Sequence, residues 1–415
     1  MAVIKPFICV RPNEAEACQV AALPYDVYNR EEAKEVVKKN PKSFLAIDRA
    51  ETQFDDSVGI YEECVYEKAR QLLEERMEDG TFITDEDRCY YVYELTMDGR
   101  SQTGIVACAS IDDYDQGIIK KHENTREEKE QDRIHHVDIC SAQTGPIFLA
   151  YRSNEVIAAE VAKAKEQAPI YDFVSEDGIG HRVWKIAEEG AVAAIKEAFV
   201  TLQQIYIADG HHRAASAVKV GKKRRTEHPS YDGTEEFNYF LSVLFPEDQL
   251  KILPYNRTVK DLNGLTTEAF LAKIEEHFTV TAVGSTVYEP ERKGTFGMYL
   301  DEAWYALEAK PELLQITDPV KGLDVSLLQD YLLQPVLGIN DPRTDARVEF
   351  IGGIRGTKEL ERRVQTDQKV AFSMYPTSIQ ELFLVADAGK LMPPKSTWFE
   401  PKLRSGLFIH PIERG

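Results

Sequence analysis

Apolar residues recur at helical spacing in several segments of the chain, with charged residues between them. In Ser57–Glu78, apolar and aromatic side chains stand among many Glu, Lys and Arg residues, and Gly80 follows just past the run. This arrangement predicts an amphipathic helix that ends near a glycine. Further helices are predicted at Asn154–Gln167, Glu188–Phe199, Thr266–Phe278, Val325–Leu333, Thr357–Gln365 and Ser378–Ala388.

Other segments are rich in β-branched and aromatic residues, which favours strands. Cys89–Met97 and Gln102–Ser110 are separated by a turn that contains Asp98-Gly99, so they predict a β-hairpin. A second hairpin is predicted around Asp177-Gly178-Ile179-Gly180. Single strands are predicted at Gln204–Ala208, Phe237–Phe245, Thr295–Leu300, Trp304–Glu308, Val348–Gly353 and Val370–Ser373.

The order of these elements predicts a mixed α+β fold of the layered α/β kind. A new alternation of helix and strand begins after Leu253-Pro254-Tyr255-Asn256, so we expect two lobes, residues 1–255 and residues 256–415. The basic run Gly221–Arg225 follows a predicted helix start at Ala214–Val220, and we expect it to be a solvated loop.

Composition narrows the class of protein. The 415 residues carry a formal net charge of -20, and a field of this sign repels phosphate backbones and anionic lipids, so we expect neither a nucleic-acid nor a membrane partner. The chain shows no signal peptide and no apolar run long enough to span a membrane, which favours a cytoplasmic protein. The six cysteines include no Cys-x-x-Cys pair, so reduced thiols are expected.

The sequence Asp209-Gly210-His211-His212-Arg213 joins the predicted strand Gln204–Ala208 to the predicted helix Ala214–Val220. The N–H groups and the dipole at a helix N-terminus favour a phosphate there. Gly210 permits a tight turn, Arg213 can grip a phosphate with two parallel hydrogen bonds, and each imidazole can donate to oxygen or transfer a proton. A solvated helix cap with a chance pair of histidines is the alternative, but three cation-capable groups in succession favour an anion site.

Two acidic residues are candidates for a general base. Asp26 lies in the turn-like apolar segment Leu23-Pro24-Tyr25-Asp26-Val27, where partial burial would raise its pKa, but it can equally cap a helix that starts near Arg30. Glu123 follows His122 at the predicted exit of a strand. This pair is as consistent with the lining of a site as with the start of a solvated, charged helix.

Two further segments carry residue types with ligand chemistry. His135, His136, Asp138 and Cys140 are metal-ligand types, but neighbours on one helix spread around its circumference, so we do not expect a structural metal. Lys395-Ser396-Thr397 lies in a proline-rich loop and can contact a phosphate. It is not a P-loop, because no glycine-rich lead precedes the lysine.

Five motifs resemble the family catalogued as domain of unknown function 1015. They are Pro24-Tyr25-Asp26-Val27, Asn40-Pro41-Lys42-Ser43-Phe44-Leu45, Lys121-His122-Glu123-Asn124-Thr125 with Asp132-Arg133, Asp209-Gly210-His211-His212-Arg213, and Met392-Pro393-Pro394-Lys395-Ser396-Thr397. Together they are specific and span nearly the whole chain. Within this resemblance, Gly210-His211-His212-Arg213 is similar to the Gly-x-His-Arg nucleotide site of the ParB and sulfiredoxin superfamily, whose related members include free serine kinases.

The resemblance implies a ParB/sulfiredoxin-like nucleotide-binding lobe with large insertions, followed by a C-terminal α/β lobe that returns the Lys395 region to the site. It implies a kinase that uses Mg²⁺ with ATP or ADP and phosphorylates the hydroxyl of free L-serine or a similar metabolite. The residues implied for the nucleotide and its phosphates are Asp209, Gly210, His211, His212, Arg213, Lys395 and Ser396. Those implied for the substrate are His122 and Arg133, and those implied for catalysis are Asp26, Glu123 and His212.

The chain also departs from these relatives. Sulfiredoxin carries a reactive Cys where this chain has His211, which argues against thiol-based reduction of a sulfinic acid. No helix-turn-helix DNA reader of the ParB type is evident in the acidic chain. The serine kinases use a glutamate near the N-terminus as base, and Asp26, Glu123, Glu14 and Glu16 are all candidates for it. A non-catalytic nucleotide-sensing or protein-binding module is the main alternative, and a homo-oligomer stays open.

Overall fold

The structure, a computed structural model, describes residues 1–413. They form two compact units: the first comprises Met1–Leu250 with the segment that begins at Pro401, and the second comprises Lys251–Glu400. The C-terminal segment therefore packs with the first unit, whereas the sequence analysis placed it in the second lobe. The division into domains at residue 255 stays a prediction, because compactness alone does not show independent folding.

The strands and helices of the first unit alternate along most of its length. The strands are β1 (Ile4–Lys5), β2 (Val10–Pro12), β3 (Phe82–Thr84), β4 (Tyr90–Met97), β5 (Arg100–Ser110), β6 (Ile119–Lys120), β7 (Ala142–Gln143), β8 (Ile147–Tyr151), β9 (Tyr171–Val174), β10 (Gly180–Ile186), β11 (Ile205–Asp209) and β12 (Tyr239–Pro246). The helices are α1 (Ala17–Val20), α2 (Arg30–Lys39), α3 (Leu45–Asp48), α4 (Glu63–Glu78), α5 (Ile111–Asp115), α6 (Glu127–Cys140), α7 (Glu155–Lys165), α8 (Glu189–Thr201) and α9 (His211–Glu227).

The second unit has a simpler order of elements. Its strands are β13 (Ile252–Leu253), β14 (Tyr255–Val259), β15 (Phe278–Gly284), β16 (Thr295–Leu300), β17 (Ala303–Ala309), β18 (Val348–Gly352), β19 (Val370–Met374) and β20 (Trp398–Phe399). Its helices are α10 (Thr267–Ile274), α11 (Pro311–Leu314), α12 (Asp324–Leu328), α13 (Gly356–Thr366) and α14 (Ile379–Asp387). The last strand, β21 (His410–Pro411), belongs to the first unit.

A nine-stranded mixed sheet forms the centre of the first unit, in the order β6-β11-β8-β12-β5-β4-β10-β9, with β1 paired to β5. The pairs β11–β6 and β12–β8 are parallel. Met97 pairs with Arg100 across Asp98 and Gly99, which have φ values of 52° and 76°, so the predicted hairpin is confirmed. Positive φ at both central residues is the reason that Asp-Gly suits this two-residue turn.

The junction between β11 and α9 is anchored by apolar packing on both sides. Ile205 and Ile207 of β11 are fully buried in the main core of the first unit, together with Ala214 and Val218 of α9. A strand and a helix that share one core hold the chain between them in a fixed position. α9 also packs against α6.

The second unit is built on a six-stranded antiparallel sheet in the order β15-β17-β16-β19-β14-β18. Trp304 on β17 is fully buried, and its indole N–H donates to Glu361 on α13 at 2.8 Å. α13 also packs against β19, so helix and sheet bury one apolar cluster between them. The predicted mixed α+β fold is therefore confirmed in both units.

The predicted solvated loop at Gly221–Arg225 is wrong, because the whole run lies within α9. A Cβ atom at Gly221 would fall on the Phe237 carbonyl oxygen, so the glycine permits a close approach of two backbones instead of breaking the helix. Arg225 donates to both carboxylate oxygens of Asp112, at 2.7 and 2.8 Å. Contacts with Phe237 and Asp112, which are distant in sequence, thus stabilise as helix a segment that the local sequence predicts to be a loop.

Two predicted helices begin or end differently in the structure. The predicted helix at Ser57–Glu78 begins only at Glu63, because Glu62 is extended and its carboxylate accepts a hydrogen bond from Gly59 N–H at 2.5 Å. The predicted helix Val325–Leu333 is confirmed only in part, because α12 passes into a π-helix at Gln329–Leu333.

The C-terminal segment joins the first unit through backbone pairing. β21 pairs with β7, and Val10 and Ile409 exchange backbone hydrogen bonds. None of the helices in residues 1–413 is both long enough and apolar enough to cross a bilayer. All six cysteine thiols are unpaired, and four of them are buried.

Candidate functional site

The turn between β11 and α9 has the conformation that the sequence predicts for a tight junction. Gly210 has a φ of 92°, a left-handed conformation that glycine adopts without strain. Asp209 Oδ1 accepts a hydrogen bond from Gly210 N–H at 2.8 Å, which fixes the turn. α9 then begins at His211, and no side chain caps it.

The first N–H groups of α9 have no hydrogen-bond acceptor in the described part of the chain. An α-helix leaves these groups without an intrahelical partner, and no hydrogen bond from His211, His212 or Arg213 N–H is found within residues 1–413. The Arg213 guanidinium packs over Gly210 and donates to the Pro146 carbonyl at 2.7 Å. Three N–H donors beside one fixed cation are suited to an anionic group.

The two histidines of the junction are neutral near pH 7. Burial lowers the pKa of His211 well below its usual value, and the adjacent His122 lowers it further. Burial is also the main reason that the pKa of His212 is lowered. His212 Nε2 accepts a hydrogen bond from Arg126 N–H at 2.9 Å, so the ring proton is on Nδ1. His212 therefore offers one uncharged N–H donor.

His122 lies against His211 instead of facing solvent. The two rings meet edge to face with centroids 4.4 Å apart, and His122 is only 1% exposed. Burial lowers the pKa of His122 to about 4. Neither of its ring nitrogens makes a hydrogen bond of normal geometry within the described chain. Its predicted contact with the substrate stays a prediction, and the packing makes it a support for the His211 ring.

Glu123 is close to the same histidine. Its Oε2 atom lies 3.9 Å from His211 Nδ1, while His211 Nε2 lies 3.4 Å from His122 N–H. The imidazole is therefore held between a backbone donor and a carboxylate. Because His211 is neutral, its contact with Glu123 is not an ion pair.

Asp26 lies in the 3₁₀ turn Tyr25–Val27 and is exposed. It does not cap the following helix: Asn29 caps α2 by accepting a hydrogen bond from Glu32 N–H at 3.0 Å, and Glu32 completes the capping box. The alternative of a capping role for Asp26 is therefore wrong. Asp26 instead acts electrostatically on His212, where it opposes the lowering of the histidine pKa.

Lys402 is a member of the junction that the sequence analysis did not identify. Its ammonium lies 2.9 Å from Asp209 Oδ2. Burial alone would raise the pKa of Asp209, but Lys402 and Arg213 hold it well below its usual value, so the carboxylate stays ionised. In the sequence, Lys402 is simply a basic residue in a C-terminal loop. Nothing close to it in the chain predicts that it contacts Asp209.

Arg133 is buried beside the turn that carries Asp26. Its guanidinium lies over the Tyr25 ring, 4.0 Å from the centroid, and pairs with Asp132 at 2.8 Å. Burial alone would lower the pKa of Arg133, but Asp132, Tyr25 and Asp48 raise it. The guanidinium therefore keeps its charge inside the protein, where it is available to a carboxylate or a phosphate.

A cavity of about 160 Å³ lies beside Arg133. The 3₁₀ turn at Tyr25–Val27, the segment Asp48–Glu51 and helices α4 and α6 form its walls. A smaller cavity, also lined by Tyr25 and Arg133, reaches Arg213. Asp48 and Glu51 carry buried carboxylates in this region, and no motif in the sequence distinguishes them from ordinary surface acids.

Two of the predicted phosphate ligands lie in the second unit. Ser396 is buried, and its hydroxyl donates to the Pro393 carbonyl at 2.6 Å. Lys395 has a φ of 56°, and its ammonium lies 5.4 Å from the centroid of the Tyr255 ring. Their part in the phosphate site stays a prediction.

The metal-ligand types on α6 have other partners. His136 Nε2 donates to the Ile47 carbonyl at 3.2 Å, and burial lowers its pKa. Asp138 pairs with Arg224 at 2.9 Å, and Cys140 is buried. Within residues 1–413, no three acidic, histidine or cysteine side chains are grouped in a way that could hold a metal ion.

Comparison with known proteins gives a family. The sequence model of the family described as "Protein of unknown function (DUF1015)" matches residues 4–326. The chain therefore belongs to this family, as its five motifs predict. No curated protein matches the chain.

Several solved structures are distantly similar. A free serine kinase mutant in complex with ADP has 14% sequence identity and a TM-score of 0.35, over 72% of this chain and 92% of its own. SbnI with a C-terminal truncation, from Staphylococcus aureus, has 13% identity and a TM-score of 0.40, over 74% of this chain and 87% of its own. A conserved hypothetical protein from Pyrococcus furiosus has 14% identity and a TM-score of 0.32, over 74% of this chain and 95% of its own. Likenesses this distant carry no argument about function.

Proposed function

We propose that the chain is a nucleotide-dependent phosphotransferase that phosphorylates the hydroxyl of free L-serine or a similar small metabolite. The observation that carries the proposal is the position of Asp26. It lines the 160 Å³ cavity and acts electrostatically on His212 at the N-terminus of α9. One carboxylate thus lines a cavity of the size of a metabolite and is close enough to the proposed anion site to act on His212.

In this proposal the junction holds the donor phosphates. The N–H groups of His211, His212 and Arg213 and the dipole of α9 attract the phosphate oxygens, and the Arg213 guanidinium adds a formal charge. His212 contributes its Nδ1–H donor, which does not depend on protonation near pH 7. Fixed donors of this kind supply most of the stabilisation in phosphoryl transfer. The similarity to the Gly-x-His-Arg motif supports a nucleotide as the source of the phosphates.

Asp26 is the proposed base. As the hydroxyl oxygen of the acceptor forms its bond to phosphorus, the bond from phosphorus to the leaving nucleotide oxygen breaks and the hydroxyl proton passes to Asp26. Glu123 is the second candidate for the base. Because it contacts His211, its proposed role is to position the His211 ring. Asp26 supplies the carboxylate chemistry that the resemblance to free serine kinases implies.

Magnesium fits this site only as an ion held mainly by the nucleotide. The described residues contain no cage of three protein ligands, and Mg²⁺ in nucleotide sites is held by phosphates, water and one or two carboxylates. Asp26 is exposed close to the junction and would supply such a carboxylate. When bound, the ion offsets the charge of the phosphates.

The deciding experiment is phosphorus NMR of the purified protein with Mg²⁺, L-serine and either ATP or ADP. We expect O-phosphoserine to appear with one of the two donors and to be lost in His212→Ala. Nucleotide binding without any product, across a panel of hydroxylated acceptors, would contradict catalysis and favour the non-catalytic sensing module.

A further inference from the structure

The outer edge of β15 in the second unit is open. β15 (Phe278–Gly284) lies at one end of the six-stranded sheet and pairs only with β17. Beyond this pairing, no backbone hydrogen bond to or from residues 278–284 is found within residues 1–413. Thr279, Thr281 and Ala282 are exposed, so solvent reaches this edge. An open edge presents unpaired N–H and C=O groups to another strand.

The pairing with β17 shows which backbone groups point outwards. Lys310 N–H donates to the His277 carbonyl at 3.1 Å, one position before the first pair of the β15–β17 register. Hydrogen-bonded and non-hydrogen-bonded pairs alternate along antiparallel strands. The N–H and C=O groups of Phe278, Val280 and Ala282 therefore point away from β17. They form a regular row, because the bulge in β15 begins only after Ala282.

The other outer edges of the two large sheets carry features that prevent pairing with another chain. β6 has only two residues, and β9 carries the exposed Asp172 and packs against α1. β18 in the second unit carries Glu349, which pairs with Arg363. Short length, charge and a covering helix are the usual protection of an edge strand. In contrast, Phe278–Gly284 contains neither a charged residue nor a proline.

The open edge matches an antiparallel copy of itself. A two-fold axis at Val280 places Phe278 of one copy opposite Ala282 of the other, and Thr279 opposite Thr281. The outward-pointing residues of each copy then meet those of the other copy, and their N–H groups give up to about six hydrogen bonds. Threonine pairs across neighbouring strands are also favourable.

The charges beside β15 allow this arrangement. Each chain carries a formal net charge of -20, so two copies repel each other over most of their surface. In the register about Val280, Glu276 of one copy faces Gly284 of the other, and Glu275 faces Ser285. No like charges are therefore opposed along the strand. This match arises only when β15 pairs with itself, so it favours a second copy over an unrelated strand.

We propose that two copies of this chain associate through β15, antiparallel and in register about Val280, so that their six-stranded sheets become one continuous sheet. The contact is isologous, because both copies use the same strand. The paired strands are short, so the interface lies at the small end of the range for specific complexes and the dimer dissociates on dilution. The proposal is independent of the nucleotide site proposed for the first unit.

The first test measures the mass of the full chain in solution by sedimentation velocity, from about 1 to about 200 μM. We expect the mass to rise with concentration from that of one chain to that of two. The mass of a single chain over the whole range overturns the proposal.

A pair of double variants tests the strand. Thr279→Lys with Thr281→Lys places each new lysine directly opposite a lysine of the second copy, where like charges repel, and both positions are exposed. Thr317→Lys with Thr344→Lys is the matched control, because it adds the same charge at exposed positions of the same unit outside its strands. We expect the first variant to weaken association about tenfold or more and the control to associate like wild type. Equal association of the two variants contradicts the proposal.

Cysteine cross-linking tests the register, and it decides the question if the lysine variant does not fold. Thr279 and Thr281 of the two copies form a non-hydrogen-bonded pair, in which the Cβ atoms are close enough for a disulfide. Thr279→Cys and Thr281→Cys are made in a Cys18→Ser background, which removes the exposed thiol, and are oxidised separately and as a mixture. We expect a covalent dimer only in the mixture. Its absence there, or equal amounts from each variant alone, overturns the proposal.

Discussion

The ammonium of Lys402 lies 2.9 Å from Oδ2 of Asp209, although the two residues are 193 positions apart in the chain. Asp209 also holds the Gly210 N–H through its other oxygen. The C-terminal segment is therefore tied to the turn from which the first N–H groups of α9 emerge. This ion pair neutralises a carboxylate that would otherwise repel a phosphate at the junction.

We predict a measurable coupling between Lys402 and Asp209. In a double-mutant cycle of Lys402→Met and Asp209→Asn, the coupling free energy of unfolding should be about 1 kcal/mol, because the Asp209 side chain keeps 36% of its exposure and solvent screens the pair. Urea denaturation at pH 7 measures it. Additive effects of the two substitutions would contradict the coupling.

The same pair predicts a pH dependence. Because the pKa of Asp209 is lowered in the folded state, its contribution to stability is present above the unfolded pKa of about 4 and is lost as the pH falls below it. Asp209→Asn should therefore flatten the acid limb of the stability profile below about pH 4. If the stability of wild type and of Asp209→Asn fell equally steeply below pH 4, the prediction would be refuted.

Arg213→Ala should abolish nucleotide binding and leave the protein folded. The guanidinium is the formal charge beside the three N–H groups, and losing a charged hydrogen-bonding partner of a phosphate costs about 2–5 kcal/mol, or roughly 30-fold or more in affinity. Calorimetry with ADP and ATP measures the loss, and circular dichroism checks the fold.

Lys222→Ala is the matched control for Arg213→Ala. It removes one positive charge from the same helix, where Lys222 pairs with Asp115 at the surface. We expect it to keep wild-type nucleotide affinity. Equal losses in the two variants would show that the helix acts only through its overall charge.

Asp26→Asn should separate the two candidate bases. If Asp26 takes the proton, kcat should fall about 10²- to 10⁴-fold, while nucleotide affinity measured without Mg²⁺ stays within about threefold. Glu123→Gln should retain kcat within about tenfold, because Glu123 acts through His211. Kinetics of O-phosphoserine formation measure both, and a larger loss in Glu123→Gln would reverse the assignment.

Asp324 predicts a second pH effect, in the second unit. Burial raises its pKa to about 7, even though the Gly294 N–H donates to both of its oxygens at 3.0 Å. A raised carboxyl pKa means that stability is fully present below about pH 4 and falls as the pH rises towards 7. Asp324→Asn retains an acceptor and removes the charge, so it should be more stable than wild type at pH 8 by about 2–4 kcal/mol, with little difference at pH 4.

Denaturation of the wild type and of Asp324→Asn at both pH values checks this prediction. Equal stability of the two proteins at pH 8 would contradict the raised pKa of Asp324.

Gly221→Ala should destabilise the first unit by about 1–3 kcal/mol, because the added Cβ meets the backbone of Phe237. Gly180→Ala on β10 is the control, since a Cβ there makes only ordinary contacts with Thr96, at 3.4 Å or more. Urea denaturation should give a change near zero for the control. A neutral Gly221→Ala would show that α9 can shift away from Phe237.

Motif and periodicity together predicted much of the first unit and the position of the junction. The hairpin at Asp98-Gly99 and the turn at Gly210 follow from local chemistry, because positive φ values are needed there and the sequence supplies residues that adopt them. The run Gly221–Arg225 is helical although its local sequence predicts a loop, because the reason for its glycine is the Phe237 backbone, 16 residues further along the chain.

The sequence by itself determined the family, the mixed α+β fold and the strand-turn-helix junction, because these depend on residues close together in the chain. Tertiary structure alone decided that Lys402 reaches Asp209, that His122 supports His211, and that Asp48 and Glu51 line a cavity beside Arg133. Each of these contacts joins segments that lie far apart in sequence. The partners, and the burial that sets their pKa values, arise only when the chain has folded.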